Sequence, residues 1–200
     1  MKTWTFKNGE RGPVRRWVGA TGSLSARLAG AGQVFSVQVL QQGRQPLGQD
    51  EARALGLPGR CAGYMREVVL RVDGVAVVFA RSVTQHAHSL GSWRSIRGLG
   101  SRPLADVLFK RPGIARAPLA FNRITPSSRL GRDVASAWQR ATNQAVAVRT
   151  LPARRSVFTR RGAPLLVMEI FAAQPEPWCW PCSRSISKSK QPFLPKNEAP

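Results

Sequence analysis

Apolar and polar residues alternate most clearly over residues 64–70. Tyr64, Arg66, Val68 and Leu70 fall on one face, and Met65, Glu67, Val69 and the following Arg71 on the other. That period of two predicts a strand. It also places Arg66 among apolar neighbours on the face turned to the core, where a charge is costly unless something pairs with it. Residues 34–41 alternate in the same way, with Phe35, Val37 and Val39 opposed to Ser36 and Gln38, and predict a half-buried strand. Asp73-Gly74 follows the 64–70 stretch and predicts a two-residue hairpin turn. Pairing Val72 with Val75 sets Leu70 opposite Val77, Val68 opposite Phe79 and Arg66 opposite Arg81. Like charges directly opposite are destabilising. Arg81 therefore either snorkels at the strand end or joins Arg66 where an anion sits.

A second hairpin is predicted near the end of the patterned region. Residues 155–160 form one strand, Arg161-Gly162-Ala163 turns, and residues 164–171 return. The returning strand is apolar on both faces, so it is expected at the centre of a sheet. It carries Glu169 on the same face as Leu165, Val167 and Phe171. A lone carboxylate there needs an Arg partner or a functional use. Between the hairpins, Pro103 opens a short helix over 103–109 with Leu104, Val107 and Leu108 on one face. Residues 114–124 read as an edge or bulged strand interrupted at Pro118. A helix is expected from Asp133 through Val134, Trp138 and Ala141. Upstream, Ser23 is a plausible N-cap, with Leu24 and Leu28 one turn apart on a short helix. The backbone N–H of Leu24 at that helix start is an orphan donor able to face an anion. Residues 43–60 are rich in Gly, Pro and polar residues, with at most a short helix near 51–55, and suit a lid or flap. The expected class is thus α+β: a single antiparallel sheet of about six strands with helices on one face.

Composition narrows the partners. The chain has 200 residues and a formal net charge of +21. It is expected to hold a flexible basic segment at 1–16, one domain over 17–174, and a disordered tail over 175–200 that lacks periodicity and is rich in Ser, Lys and Pro. The arginines are scattered, and no basic block is interleaved with aromatics, so nucleic-acid binding is not expected. No run is long enough for a membrane span, and residues 1–7 show no signal core, which points to the cytoplasm. Cys61, Cys179 and Cys182 make no disulfide framework. Cys179-Trp-Pro-Cys182 is a lone CxxC, and His86-Ala-His88, two imidazoles on one face of a strand, lacks a third ligand nearby. No metal site and no cofactor are expected.

The remaining ingredients are a core-facing Arg, a core-facing Glu, backbone donors at helix starts and a possible lid. They suit a small carboxylate with an apolar body: Arg clamps the carboxylate and Glu acts on, or holds, a hydroxyl. Several motifs, in order, resemble the chorismate–pyruvate lyases that begin bacterial ubiquinone biosynthesis. These are Gly22-Ser23-Leu24-Ser25-Ala26-Arg27-Leu28, Tyr64-Met65-Arg66-Glu67-Val68-Val69-Leu70 and Ala80-Arg81-Ser82-Val83. Leu99-Gly100-Ser101-Arg102-Pro103-Leu104, Arg154-Arg155-Ser156 and residues 162–171 complete the set. The resemblance covers residues 17–174, and the segment from Gln174 has no counterpart in it. It implies that chorismate loses its enolpyruvyl ether as pyruvate, leaving 4-hydroxybenzoate, in a monomeric enzyme. It further implies that Arg66 binds the ring carboxylate, assisted by the amides of Leu24 and Leu104. Glu169 then meets the hydroxyl end, and Arg66 and Glu169 carry the catalysis. Arg81 is a second anion contact, a gate for incoming substrate, or a surface residue.

Two other classes compete. One is a non-catalytic binding domain of the same fold, as in the effector domains of transcription regulators. These normally follow a helix-turn-helix domain, for which 16 leading residues leave no room. The other is a basic nucleic-acid-binding protein, which salt-dependent retention on DNA would reveal.

Overall fold

The computed structural model describes residues 3–59, 61–146, 150–173 and 178–181. Its frame is one antiparallel sheet of seven strands. In chain order these are β1 (Phe35–Pro46), β2 (Ala62–Val72), β3 (Val75–Gln85), β4 (Ile114–Arg116), β5 (Ala120–Ile124), β6 (Leu151–Arg160) and β7 (Ala163–Phe171). They are arranged β1-β2-β3-β7-β6-β4, with β5 also paired to β6. The strand expected over residues 114–124 is split at Pro118, which cannot donate to a ladder. β7, apolar on both faces apart from Glu169, lies between β3 and β6.

Both hairpins turn through residues with positive φ. Asp73 and Gly74 have φ of 49° and 80°, and Arg161 and Gly162 have 51° and 74°. This geometry matches the twist of the flanking strands. The Asp73 carboxylate also accepts from the amides of Gln33 and Val34, at 2.8 and 2.7 Å, and so ties the start of β1 to the turn.

The β2–β3 register departs from the expected one. Val72 does pair with Val75, but a bulge then pairs Arg71 with Ala76 and Leu70 with Val78. Val77 is the inserted residue. Every later partner slips by one, so Arg66 stands opposite Ser82, and Arg81 opposite Glu67. A one-residue slip exchanges the faces. Arg81 therefore leaves the face that Arg66 occupies.

The helices are α1 (Gly12–Val18), α2 (Leu24–Ala29), α3 (Gln49–Ala54), α4 (His86–Leu90), α5 (Ala105–Leu108) and α6 (Arg129–Thr142). They cover both faces of the sheet rather than one, because β2, β3 and β7 are apolar on both sides. Trp17, Val18, Leu24 and Leu28 of α1 and α2 pack with Val68, Leu70, Val78 and Phe171. Val107 and Leu108 of α5 join Tyr64, Phe158 and Leu165 on that same face. On the opposite face, Val134, Ala137 and Trp138 of α6 meet Val69, Phe79, Met168 and Ile170. Ala52 of α3 packs there with Met65, Val83 and Leu166. Burial of each such side chain stabilises by about 1.5–3 kcal/mol. α6 has a serine cap, the Ser128 hydroxyl accepting from the Gly131 amide, and ends at Asn143 with φ 56°.

Three local expectations are revised. The chain is helical from Gly12, within the stretch expected as a flexible arm. His86 and His88 lie on α4, not on a strand. Trp178 is buried against Trp17 and Phe171, although it belongs to the stretch expected as a disordered tail. Residues 175–177 and 182–200 of that tail lie outside the described residues.

Candidate active site

A narrow, partly open cavity lies between the sheet and the short helices α2 and α5. It encloses about 640 Å³ of space free of protein atoms, open solvent included. Arg66 and Val68 of β2, Ala80 and Ser82 of β3, and Val167 and Glu169 of β7 form its floor. Strand periodicity puts these residues on one face: Arg66, Ser82, Val167 and Ser156 form one cross-strand row, and Val68, Ala80, Glu169 and Arg154 the next. Leu24 and Leu104 line the opposite wall.

Arg66 is 3% exposed. Its Nη2 donates to the carbonyls of Gly100 and Arg102 at 2.8 and 3.2 Å. Its Nε is buried with no partner. No carboxylate within the described residues forms an ion pair with it. Burial pushes this guanidinium below its ordinary value, the fate of a buried cation short of an anion. Two carbonyls fix its plane and leave the charge uncompensated.

Glu169 is held differently. Its Oε2 accepts from Nε of Arg154 at 2.5 Å. Arg154 is 1% exposed, and its Nη1 donates to the carbonyls of Trp17, Val18 and Ala20, the last at 2.6 Å. Arg154 thus closes the C-terminal end of α1 and anchors the catalytic candidate in one set of contacts. The sequence reading left this partner unnamed, although counting back from the Arg161-Gly162 turn leads to it: Arg160 pairs with Ala163, and Arg154 with Glu169.

The helix starts carry the expected donors. Ser23 caps α2, its hydroxyl accepting from the Ala26 amide at 3.1 Å. The amides of Leu24 and Leu104 have no acceptor among the described residues, and both residues border the cavity.

Arg81 does not join this group. Between Ala80 and Ser82 its backbone borders the cavity, but its guanidinium lies on the other face. There it binds Glu51 of α3 at 2.6 Å and Glu67 of β2 at 2.5 Å. Burial alone would lower the Arg81 value, but the hydrogen bonds and charges of Glu51 and Glu67 outweigh it and raise it. The bulge at Val77 is the physical cause, and the expectation of Arg81 as a substrate contact is corrected accordingly.

A further arginine, missed in the sequence, lines the cavity. Arg116 comes from the three-residue strand β4 and reaches Ser156 Oγ at 3.4 Å and the Gly22 carbonyl at 3.2 Å. So short a strand carries almost no periodic signal. Among the described residues, no three of His, Cys, Asp and Glu come together as metal ligands.

Comparison with known proteins adds to this geometry. The family model described as "Chorismate lyase" matches residues 10–179. A relative named "Probable chorismate pyruvate-lyase", from Albidiferax ferrireducens, is 63% identical over 198 residues, spanning 99% of this chain and 100% of its own. That alignment runs into the segment beyond Gln174. A relative of the same name from Cupriavidus metallidurans is 41% identical over 78% of this chain and 72% of its own. Among solved structures, the effector domain of PhnF from Mycobacterium smegmatis has a TM-score of 0.55 at 14% identity, covering 76% of this chain and 90% of its own. That likeness concerns the fold alone.

Proposed function

The chain belongs to the chorismate lyase family, and from that premise we propose that it eliminates pyruvate from chorismate, leaving 4-hydroxybenzoate for ubiquinone biosynthesis. The observation that carries this reading is the pairing, in one cavity, of a buried guanidinium without a carboxylate and a carboxylate held by a buried arginine. Arg66 takes the ring carboxylate in charge-assisted hydrogen bonds from the donors that Gly100 and Arg102 leave free, its buried Nε among them, and the free amides of Leu24 and Leu104 add donors. Glu169 meets the ring hydroxyl at the other end. The ring loses the hydrogen on the hydroxyl-bearing carbon as the neighbouring carbon–oxygen bond breaks. The ether leaves as enolpyruvate, which takes a proton on its methylene carbon to become pyruvate. Aromatisation drives the step, so the site supplies positioning and electrostatics rather than a nucleophile.

In this reading the protein works as a cytoplasmic monomer on a small molecule and needs no cofactor. The fold is shared with the effector domain of PhnF, so a domain that binds without turnover is the competing reading. Incubating the purified protein with chorismate and excess chelator, and identifying products by chromatography, separates the two. Release of 4-hydroxybenzoate and pyruvate in equal amounts is expected. Folded protein that binds 4-hydroxybenzoate but releases none above background would sink the proposal.

A further inference from the structure

We infer that Arg116 holds the second carboxylate of the substrate, the one carried by the enolpyruvyl ether, and so lets the cavity select a dicarboxylate. The inference rests on the chorismate reading above and assigns its pyruvyl end. Arg66 and Glu169 account for the ring carboxylate and the hydroxyl. Chorismate carries one more negative charge, on the group that leaves.

The cavity has a matching cation. Arg116 forms no ion pair with any described carboxylate. The nearby carboxylate, Glu169, is bound by Arg154. The Arg116 guanidinium instead sits over the rings of Phe158 and Phe109, 5.1 and 5.7 Å from their centroids, with a hydroxyl and a carbonyl as its only described polar contacts. Burial first, then repulsion from Arg154, pushes it below its ordinary value, partly offset by Glu169. Glu169 and Arg154 offset one another, which leaves Arg66 and Arg116 facing the cavity uncompensated. Two surplus positive charges match a dianion, not a benzoate.

Placement agrees with charge. Arg66 is on β2 and Arg116 on β4, with β3, β7 and β6 between them, and Glu169 stands on the middle strand of those three. The two guanidiniums approach from opposite sides of the cavity, so they serve two carboxylates rather than share one. The aromatic pair beneath Arg116 fixes it by cation–π contact, and with Nε on Ser156 and Nη1 on Gly22 its Nη2 keeps no described partner and can take an anion. Once the ether breaks, the carboxylate on Arg116 belongs to pyruvate, and 4-hydroxybenzoate stays on Arg66.

The test uses the full chain as wild type, Arg116→Gln and Arg116→Lys, with thermal melting as the check on folding. Calorimetry compares 4-hydroxybenzoate with 3-(1-carboxyvinyloxy)benzoate, a stable dicarboxylate that keeps the ether. Wild type should bind the dicarboxylate more tightly. Arg116→Gln should weaken that ligand by about 10- to 100-fold, the range for one charge-assisted contact, while 4-hydroxybenzoate changes less than about threefold. Arg116→Lys should retain part of the preference, and it decides the matter if Arg116→Gln does not fold. In turnover, the loss should appear in KM for chorismate with a smaller change in kcat. Equal losses for both ligands, or no preference in wild type, would overturn the inference. Wild type that binds the dicarboxylate preferentially but releases no 4-hydroxybenzoate would refute the elimination reading and leave the Arg116 assignment standing.

Discussion

Arg81 stands directly opposite Glu67 across the β2–β3 ladder, and its guanidinium also reaches Glu51 of α3. One cation thus ties α3 to the face of the sheet away from the cavity. Removing it strands two buried carboxylates, at 8% and 6% exposure. Arg81→Ala should lower the unfolding free energy by about 3–5 kcal/mol, the cost of breaking a buried pair, read from urea denaturation. Affinity for 4-hydroxybenzoate in the folded variant should stay within about twofold, as for a side chain without shared partners. Lost affinity at intact stability would put Arg81 back in the cavity.

Arg66→Ala should lose product affinity and turnover together, because a carboxylate clamp serves ground and transition states alike. A charge-assisted contact in a buried site corresponds to about 1.5–3 kcal/mol. Titration calorimetry with 4-hydroxybenzoate and a chorismate assay give the two numbers. An unchanged affinity would show that the ring carboxylate sits elsewhere.

Glu169→Gln keeps an oxygen for Arg154 but removes the charge. Turnover should fall more than 4-hydroxybenzoate binding, by about 10²-fold or more if the carboxylate moves a proton. Parallel losses in kcat and in product affinity would reduce Glu169 to a positioning group.

Arg154→Met tests the anchor beneath Glu169. The variant frees the carbonyls of Trp17, Val18 and Ala20 and leaves Glu169 without its cation. A loss of about 3–5 kcal/mol in stability is expected. Hydrogen exchange should localise the loosening to the amides at the end of α1. Loosening spread evenly over the sheet would argue against that role.

Trp178→Ala probes the segment beyond β7. The side chain is 8% exposed and packs with Trp17, Phe171 and Trp180. Truncation should cost about 3–5 kcal/mol, as for other buried aromatics, measured by thermal melting. A change under about 0.5 kcal/mol, as at a surface position, would mean that the packing is incidental.

Much of the sheet and the floor of the cavity was legible in the sequence, because β2 shows a period of two, β7 is a nearly continuous apolar run, and both turns carry Gly at their second central residue. Arg66 and Glu169 border the cavity as those patterns imply, and Leu24 and Leu104 border it as the family resemblance implies. The face of Arg81 was not legible, since a single inserted residue at Val77 reverses it and nothing in the local sequence marks the bulge. Arg116 was hidden for another reason: β4 has only three residues and pairs with β6 across a long separation in sequence. The partner of Glu169 could be reached by counting, but only if the strand is begun at Leu151 rather than at Arg155.

The central place of β7 has a consequence during synthesis. β1, β2 and β3 leave the ribosome as a meander whose last strand has an unpaired edge, and the strand that covers it ends at Phe171. Until roughly ninety residues later, at ordinary elongation rates of about 5–20 residues per second, that edge of Val78, Phe79, Ala80 and Val83 is open to other chains. The nascent protein therefore passes through several seconds in which it depends on chaperones or on dilution. Overexpression in a crowded host should fail by aggregation at this stage before it fails by instability of the finished fold.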